Sequence, residues 1–145
     1  FLVHRLDRFA WGLMVLAHSK AAARILSAQF ASRSIIKKYL AIVHGRLSKN
    51  YHIKSPIAGK HAESRITPII KTQEKSLVSI NIRTGKKHQI RIHLAEIGFP
   101  IVGDRKFGSQ GNVNLQLAST FILLDDPDTK KKREFSLSRE RNPMI

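Results

Sequence analysis

SLVSINIRTGKKHQIRIHLAEIGFP, residues 76–100, changes its hydrophobic period halfway along, and that change decides the fold class. Val78, Ile80 and Ile82 alternate with Ser79, Asn81 and Arg83, the period of two that a strand with one buried face requires. Beyond Thr84-Gly85 the spacing lengthens. Ile90, Leu94 and Ile97 stand at i, i+4 and i+7, one face of a helix over about Lys87–Glu96. Gly98 suits the residue that ends a helix, and Pro100 blocks its continuation.

Outward from this stretch, Ser64–Lys71 reads as an antiparallel partner for the strand Leu77–Arg83. Lys38–Gly45 reads as another strand, with Tyr39 near its start. Lys20–Ser32 is rich in alanine, gathers Ile25, Leu26 and Phe30 on one side, and is preceded by Ser19 as a candidate N-cap, the marks of an amphipathic helix. The apolar run Gly12–Ala17 predicts a buried strand. Leu47–His61, broken by Pro56 and Gly59, predicts a loop or irregular hairpin. Glycine turns make Arg105–Asn114 an expected mobile loop. Leu115–Leu124 and Arg133–Leu137 close the chain as two strands around the turn Asp126-Pro127-Asp128-Thr129. The expected class is α+β: a mostly antiparallel or mixed sheet with about two main helices. Residues 1–145 show no internal repeat and no boundary, so one domain is expected.

Charge narrows the chemistry. The chain carries 26 Lys and Arg against ten Asp and Glu, a net charge of +16. The first 124 residues hold 20 of those cations but only five acids: Asp7, Glu63, Glu74, Glu96 and Asp104. Such a field attracts phosphates, and RNA is the polyanion expected as partner. There are no cysteines, which excludes disulfides and thiolate metal sites and fits a cytoplasmic protein. No apolar run approaches the roughly 20 residues of a membrane span. His88 and His93 stand five apart, a poor same-face spacing for metal ligands, so they are expected to contact RNA or support structure. The run Lys130-Lys131-Lys132-Arg133 fits a solvated turn better than a specific reader.

Asp7 is the leading candidate for chemistry, a lone acid between Arg5 and Arg8. A carboxylate can act as nucleophile or general base, and neighbouring cations favour its charged form. The same pattern also fits a structural Asp–Arg pair.

His4-Arg5-Leu6-Asp7-Arg8, followed by Gly12-Leu13, resembles the motif around the catalytic aspartate of RluA-type pseudouridine synthases. Three further segments resemble that family in the same order: Lys38-Tyr39-Leu40-Ala41, the basic motif Thr84–Leu94, and Gly98–Asp104 with Phe107-Gly108. The resemblance implies a pseudouridine synthase catalytic core that isomerises uridine in ribosomal or transfer RNA, with no metal and no organic cofactor. It makes Asp7 the essential aspartate, Tyr39 the ring against the target base and Arg91 the basic partner of Asp7. Arg5 would fill the space left by the flipped base. Arg8, Lys86, Lys87, His88 and Gln89 are the further RNA-contact candidates, although Gln89 could equally bond a core backbone group. A base inside a duplex must be extruded before it can be attacked, at a cost of a few kcal/mol. Stacking on an aromatic such as Tyr39 recovers roughly 1–3 kcal/mol.

Two departures from the family pattern stand out. Ala10-Trp11 replace the usual Thr-Ser before the glycine, removing two hydroxyls that would order the loop. Trp11 itself suits core packing or the border of the cleft. The chain also begins close to the Asp7 motif, so a catalytic core incomplete at its N-terminus is expected, with an open sheet edge. These departures motivate the alternative of an impaired relative that only binds RNA.

Overall fold

A computed structural model describes residues 1–145. Seven strands form one mixed sheet: β1 (Trp11–Gly12), β2 (Ile36–His44), β3 (Tyr51–Ile53), β4 (Ser64–Lys71), β5 (Lys75–Ile82), β6 (Leu117–Asp125) and β7 (Lys132–Ser136). Their order is β1-β6-β2-β5-β4-β3, and β7 also pairs with β6. The β1–β6 pair is parallel and the remaining pairs are antiparallel. Two α-helices, α1 (Lys20–Ala31) and α2 (Gln89–Glu96), complete the α+β fold.

The strand β2 is central, bonded by β5 on one side and β6 on the other. Its residues Lys37, Tyr39, Ala41 and Val43 are buried and alternate with less buried ones, so they share a face. α2 seals that face by burying Ile90 and Leu94 against Tyr39, Ala41, Val43, Val78, Ile80 and Ile82. Each of these burials contributes roughly 1.5–3 kcal/mol. α1 closes the neighbouring part, with Leu26 in a second cluster of Ala17, Ile35, Ile122 and Leu124. Lys37 lies in register with Ile82 of the first cluster and Ile122 of the second, so both helices cover one sheet face. The gap between the end of α1 and the start of α2 is where the functional site lies.

Local sequence accounts for the helix limits. The hydroxyl of Ser19 accepts from the Ala22 N–H at 3.0 Å, a cap whose removal costs about 1 kcal/mol. α2 starts two residues later than its periodicity suggests, because His88 takes a left-handed conformation at φ 58°. It ends at Gly98, whose φ is +87°.

One sequence expectation needs correction and two gain detail. The run Gly12–Ala17 is not a buried strand: only Trp11 and Gly12 pair with β6, and Met14 and Leu16 are exposed. The pairing stops because Gly12, at φ +110°, turns the chain aside while the Leu13 N–H still donates to Ser119 O at 2.9 Å. The irregular Leu47–His61 segment contains β3, a strand of three residues too short for any periodicity to reveal, held by pairing with β4. The loop after Asp104 opens with a 3₁₀ turn over Arg105–Phe107. Two hydrogen bonds tie its end back: Ser109 N–H to Asp104 O at 2.9 Å, and Gly103 N–H to Ser109 Oγ at 3.0 Å.

Gly12 admits no side chain. A Cβ there would stand 2.1 Å from Ser119 O, on a backbone conformation that L-residues rarely adopt. Gly12→Ala is therefore expected to cost at least about 2 kcal/mol, since strain and overpacking act together. Urea unfolding measures this, and an unchanged midpoint would show that β6 yields freely.

Candidate active site

Asp7 is presented by a tight turn in which the Ala10 N–H donates to Asp7 O at 3.0 Å. Leu6 packs on the main core beside it and anchors the turn. The ordering hydroxyls expected before Gly12 are thus replaced by a backbone bond and by the pairing of Trp11 with Ala118. Trp11 donates its indole N–H to Arg141 O at 2.7 Å and lies on a separate shallow cleft with Arg8 and Phe9.

A pocket of about 400 Å³ opens in front of Asp7. Lys37, Tyr39, Ile82 and Leu117 form its floor on the sheet; Phe30 and Arg33 at the end of α1 form one wall. The loop into α2, with Thr84, Gly85, Lys86 and His88, forms the opposite wall, and Arg5 stands at the rim. Arg5, Lys86 and His88 therefore line the Asp7 pocket as candidate contacts. Arg8 and Lys87 are exposed outside it.

Arg91 organises the charge. It sits in the first turn of α2, where the helix dipole disfavours a cation. Asp104 compensates: Nε donates to Oδ2 at 2.9 Å and Nη2 to Oδ1 at 2.8 Å, a bidentate pair. Asp104 is fully buried and the Arg91 side chain only 12% exposed. These bonds push the Arg91 pKa further up; burial opposes, while the charges of Asp104 and Asp7 assist. The remaining nitrogen, Nη1, lies 3.7 Å from Asp7 Oδ2. That separation gives electrostatic attraction without a short hydrogen bond, so the Asp7 oxygens remain free toward the pocket. Phe107 covers the guanidinium, its ring centre 5.1 Å away.

Asp104 is carried to this position by Pro100–Val102. His44 N–H donates to Pro100 O at 2.9 Å and Val102 N–H to Ile42 O at 2.8 Å, lashing the segment to β2. Gly103 then makes a close crossing, where a Cβ would fall 2.2 Å from Asn114 O.

Tyr39 lies buried on the floor, its pKa pushed up to about 12. Burial is the main cause, the Asp7 charge adds to it, and a hydrogen bond with Ser119 opposes it. The phenol is therefore a neutral ring at ordinary pH, suited to stacking and hydrogen-bond donation rather than to removing protons. Burial also lowers the pKa of His88, whose ring meets Phe107 edge-on at 5.7 Å.

Gln89 is a correction. Its amide is buried and all four of its hydrogen-bonding positions are used inside the protein. Oε1 accepts from Thr84 Oγ1 and Lys86 N, and Nε2 donates to Glu63 O and Ser64 Oγ. It fastens the loop to β4 and has no polar atom left for a phosphate. His93 is likewise structural: fully buried, it bonds Ser64 Oγ at 2.8 Å and Ser55 O at 2.9 Å.

His4 was not singled out by its sequence. Its ring stacks on Phe30 at 4.6 Å, and its Nε2 accepts from Val15 N–H at 2.8 Å, which requires a neutral ring. Burial and then the Lys37 charge push its pKa down to about 4 from 6.5. Because the folded value is the lower one, the contribution of His4 to stability is complete above pH 6.5. It is lost as pH falls from there toward 4. The urea midpoint is expected to drop between pH 7.5 and 5.5, and His4→Asn to flatten that dependence. An equal slope in both proteins would remove His4 as the cause.

Sequence reasoning also passed over Asp104, Lys37 and Phe30. Asp104 had a usable signal, being one of five acids in 124 strongly basic residues. Lys37 and Phe30 had none, because their importance arises only where α1 meets β2.

A family model described as RNA pseudouridylate synthase matches residues 1–96. An uncharacterized RNA pseudouridine synthase of Bacillus subtilis is 31% identical, across 92% of this chain and 50% of that protein. The ribosomal large subunit pseudouridine synthase D of Zymomonas mobilis is 34% identical, across 74% of this chain and 39% of the relative. The chain thus spans half or less of the length of these relatives. Among solved structures, human RNA pseudouridylate synthase domain containing 1 superposes with a TM-score of 0.80 at 22% identity. That superposition covers 97% of this chain and 69% of the human one, and it shows the shared fold. With the family match spanning more than half of its residues and the same architecture, the chain belongs to the RNA pseudouridylate synthase family.

Proposed function

We propose that this chain converts uridine to pseudouridine in ribosomal or transfer RNA in the cytoplasm, with Asp7 as the reacting carboxylate. The observation that carries the reading is Asp7 at the mouth of the pocket, 3.7 Å from an Arg91 already held by Asp104, with Tyr39 on the floor. The reaction breaks the bond from the sugar C1′ to N1 of uracil and forms one from C1′ to C5. C5 loses its proton, N1 gains one, and nothing is added overall. Asp7 acts on the ribose or the base of the extruded nucleotide, as nucleophile or general base. Tyr39 stacks on the base, and Arg5 enters the gap it leaves. Arg91, 3.7 Å away, orients the Asp7 carboxylate by electrostatic attraction.

The loss of hydrogen from C5 supplies the test. RNA carrying 5-tritiated uridine should release tritium with this chain, and the RNA should then contain pseudouridine. Affinity should fall steeply with salt, by a logarithmic slope of about 0.7 for each phosphate contacted on a single strand. Tight, salt-sensitive binding without tritium release would instead favour a relative that only binds RNA, the reading that Ala10-Trp11 motivates.

A further inference from the structure

Lys37 lines the pocket, and the reading above leaves its chemistry unused. It stands on β2 two residues before Tyr39 and on the same sheet face, about 6–7 Å along the strand. The residue is only 7% exposed, yet its ammonium makes no ion pair and no hydrogen bond to any protein group. The Phe30 ring centre lies 5.7 Å from it, and Gly85 on the opposite wall is close enough that an added Cβ would stand 3.0 Å from Nζ. Burial lowers its pKa to about 8 from 10.5. Its side chain is buried but Nζ opens into the pocket, so the partner of the charge there is water until a ligand takes that place.

The charged and titratable groups facing it are few. His4, Arg5 and Asp7 approach from the N-terminal segment, Arg33 from the end of α1, and Lys86 and His88 from the loop into α2. Asp7 is the single acid among them, and Arg91 already attends it. The pocket therefore has a cation beside the place where Tyr39 would support a base, and no protein anion to neutralise it.

We propose that Lys37 donates to a carbonyl oxygen of the target uracil and stabilises the negative charge that develops there when the C1′–N1 bond breaks. The proposal rests on the uridine-isomerising reading. The electron pair of the broken bond leaves with the ring and spreads over N1, O2 and O4, next to the ammonium. The ring then turns, C5 bonds to C1′, the C5 proton departs and N1 takes one up. Lys37 keeps its proton throughout. A fixed charge aimed at an oxygen that becomes anionic acts mainly in the transition state. Phosphate binding by the same ammonium is the competing assignment, and it would appear as affinity rather than rate.

The test compares parent, Lys37→Met, Lys37→Arg and Gly85→Ala in single-turnover pseudouridine formation and in RNA binding. Gly85→Ala leaves Lys37 in place, but its new Cβ would sit 3.0 Å from Nζ and push the ammonium aside by a few tenths of an ångström. Lys37→Met is expected to slow the reaction at saturating RNA by about 100-fold, with affinity changed less than about twofold. Gly85→Ala should fall between it and the parent. The parent rate should decline as pH rises through 8, whereas Lys37→Arg, charged at every accessible pH, should retain activity and lack that decline. An active parent with equally fast Lys37→Met overturns this proposal and leaves the reading of the site intact. Lost affinity with an unchanged saturated rate overturns it in favour of a phosphate contact. A parent that forms no pseudouridine at all removes the functional reading, and the role of Lys37 with it.

Discussion

Asp7→Asn is expected to lower pseudouridine formation by at least about 10³-fold while RNA affinity stays within about twofold. The carboxamide has nearly the shape of the carboxylate, so the turn closed by Ala10 N–H on Asp7 O survives. What is lost is the anion itself, the proposed nucleophile or base. Arg91 does not become an unpaired buried charge, because its two short bonds go to Asp104. Affinity should persist because the net charge of +16 draws on many dispersed cations. Tritium release and filter binding on the same preparations separate the two effects. A parallel loss of rate and affinity would mean that Asp7 shapes the RNA surface rather than the reaction.

Asp104→Asn strikes at the support of the same carboxylate. Removing one member of a buried ion pair typically costs 3–5 kcal/mol, because the other charge stays behind without compensation. Asp104 is fully buried and Arg91 nearly so, which places the pair in that class. For a domain of this size the thermal midpoint should fall by roughly 10 °C. Below that midpoint turnover should fall more than about tenfold, since an unclamped Arg91 no longer holds its third nitrogen toward Asp7. Calorimetry with single-turnover kinetics decides between outcomes. An unchanged midpoint would show that the pair is dispensable to the fold, and full activity would deny it any role in holding Asp7.

Much of the architecture was legible because it is written in local periods. The alternation Val78/Ile80/Ile82 appears as β5, the alanine-rich segment after Ser19 as α1, and Ile90 and Leu94 as the buried face of α2. Gly12–Ala17 misled for a physical reason: apolar content marks burial, not hydrogen bonding, and the crossing at Gly12 ends the ladder after two residues. The strand β3 was invisible because three residues carry no period and its existence depends on β4.

At the site, the scarcity of acids and the flanking arginines nominated Asp7, while Tyr39 and Arg91 came from the resemblance of Lys38–Ala41 and Thr84–Leu94 to the family's motifs. They could not divide the basic motif into its parts. Gln89 borders the pocket as Lys86 and His88 do, but Thr84, Lys86, Glu63 and Ser64 saturate its amide and leave it nothing for a ligand. By itself, then, the sequence determined the helix and strand periods, the charge field and the family, all of which depend on neighbours in the chain. Only the tertiary structure decided that Asp104 clamps Arg91 and that Lys37 remains unpaired beside Tyr39. Those relations join residues brought together by the packing of α1 and α2 on one sheet face, where distance and desolvation set the interaction and position in the chain does not.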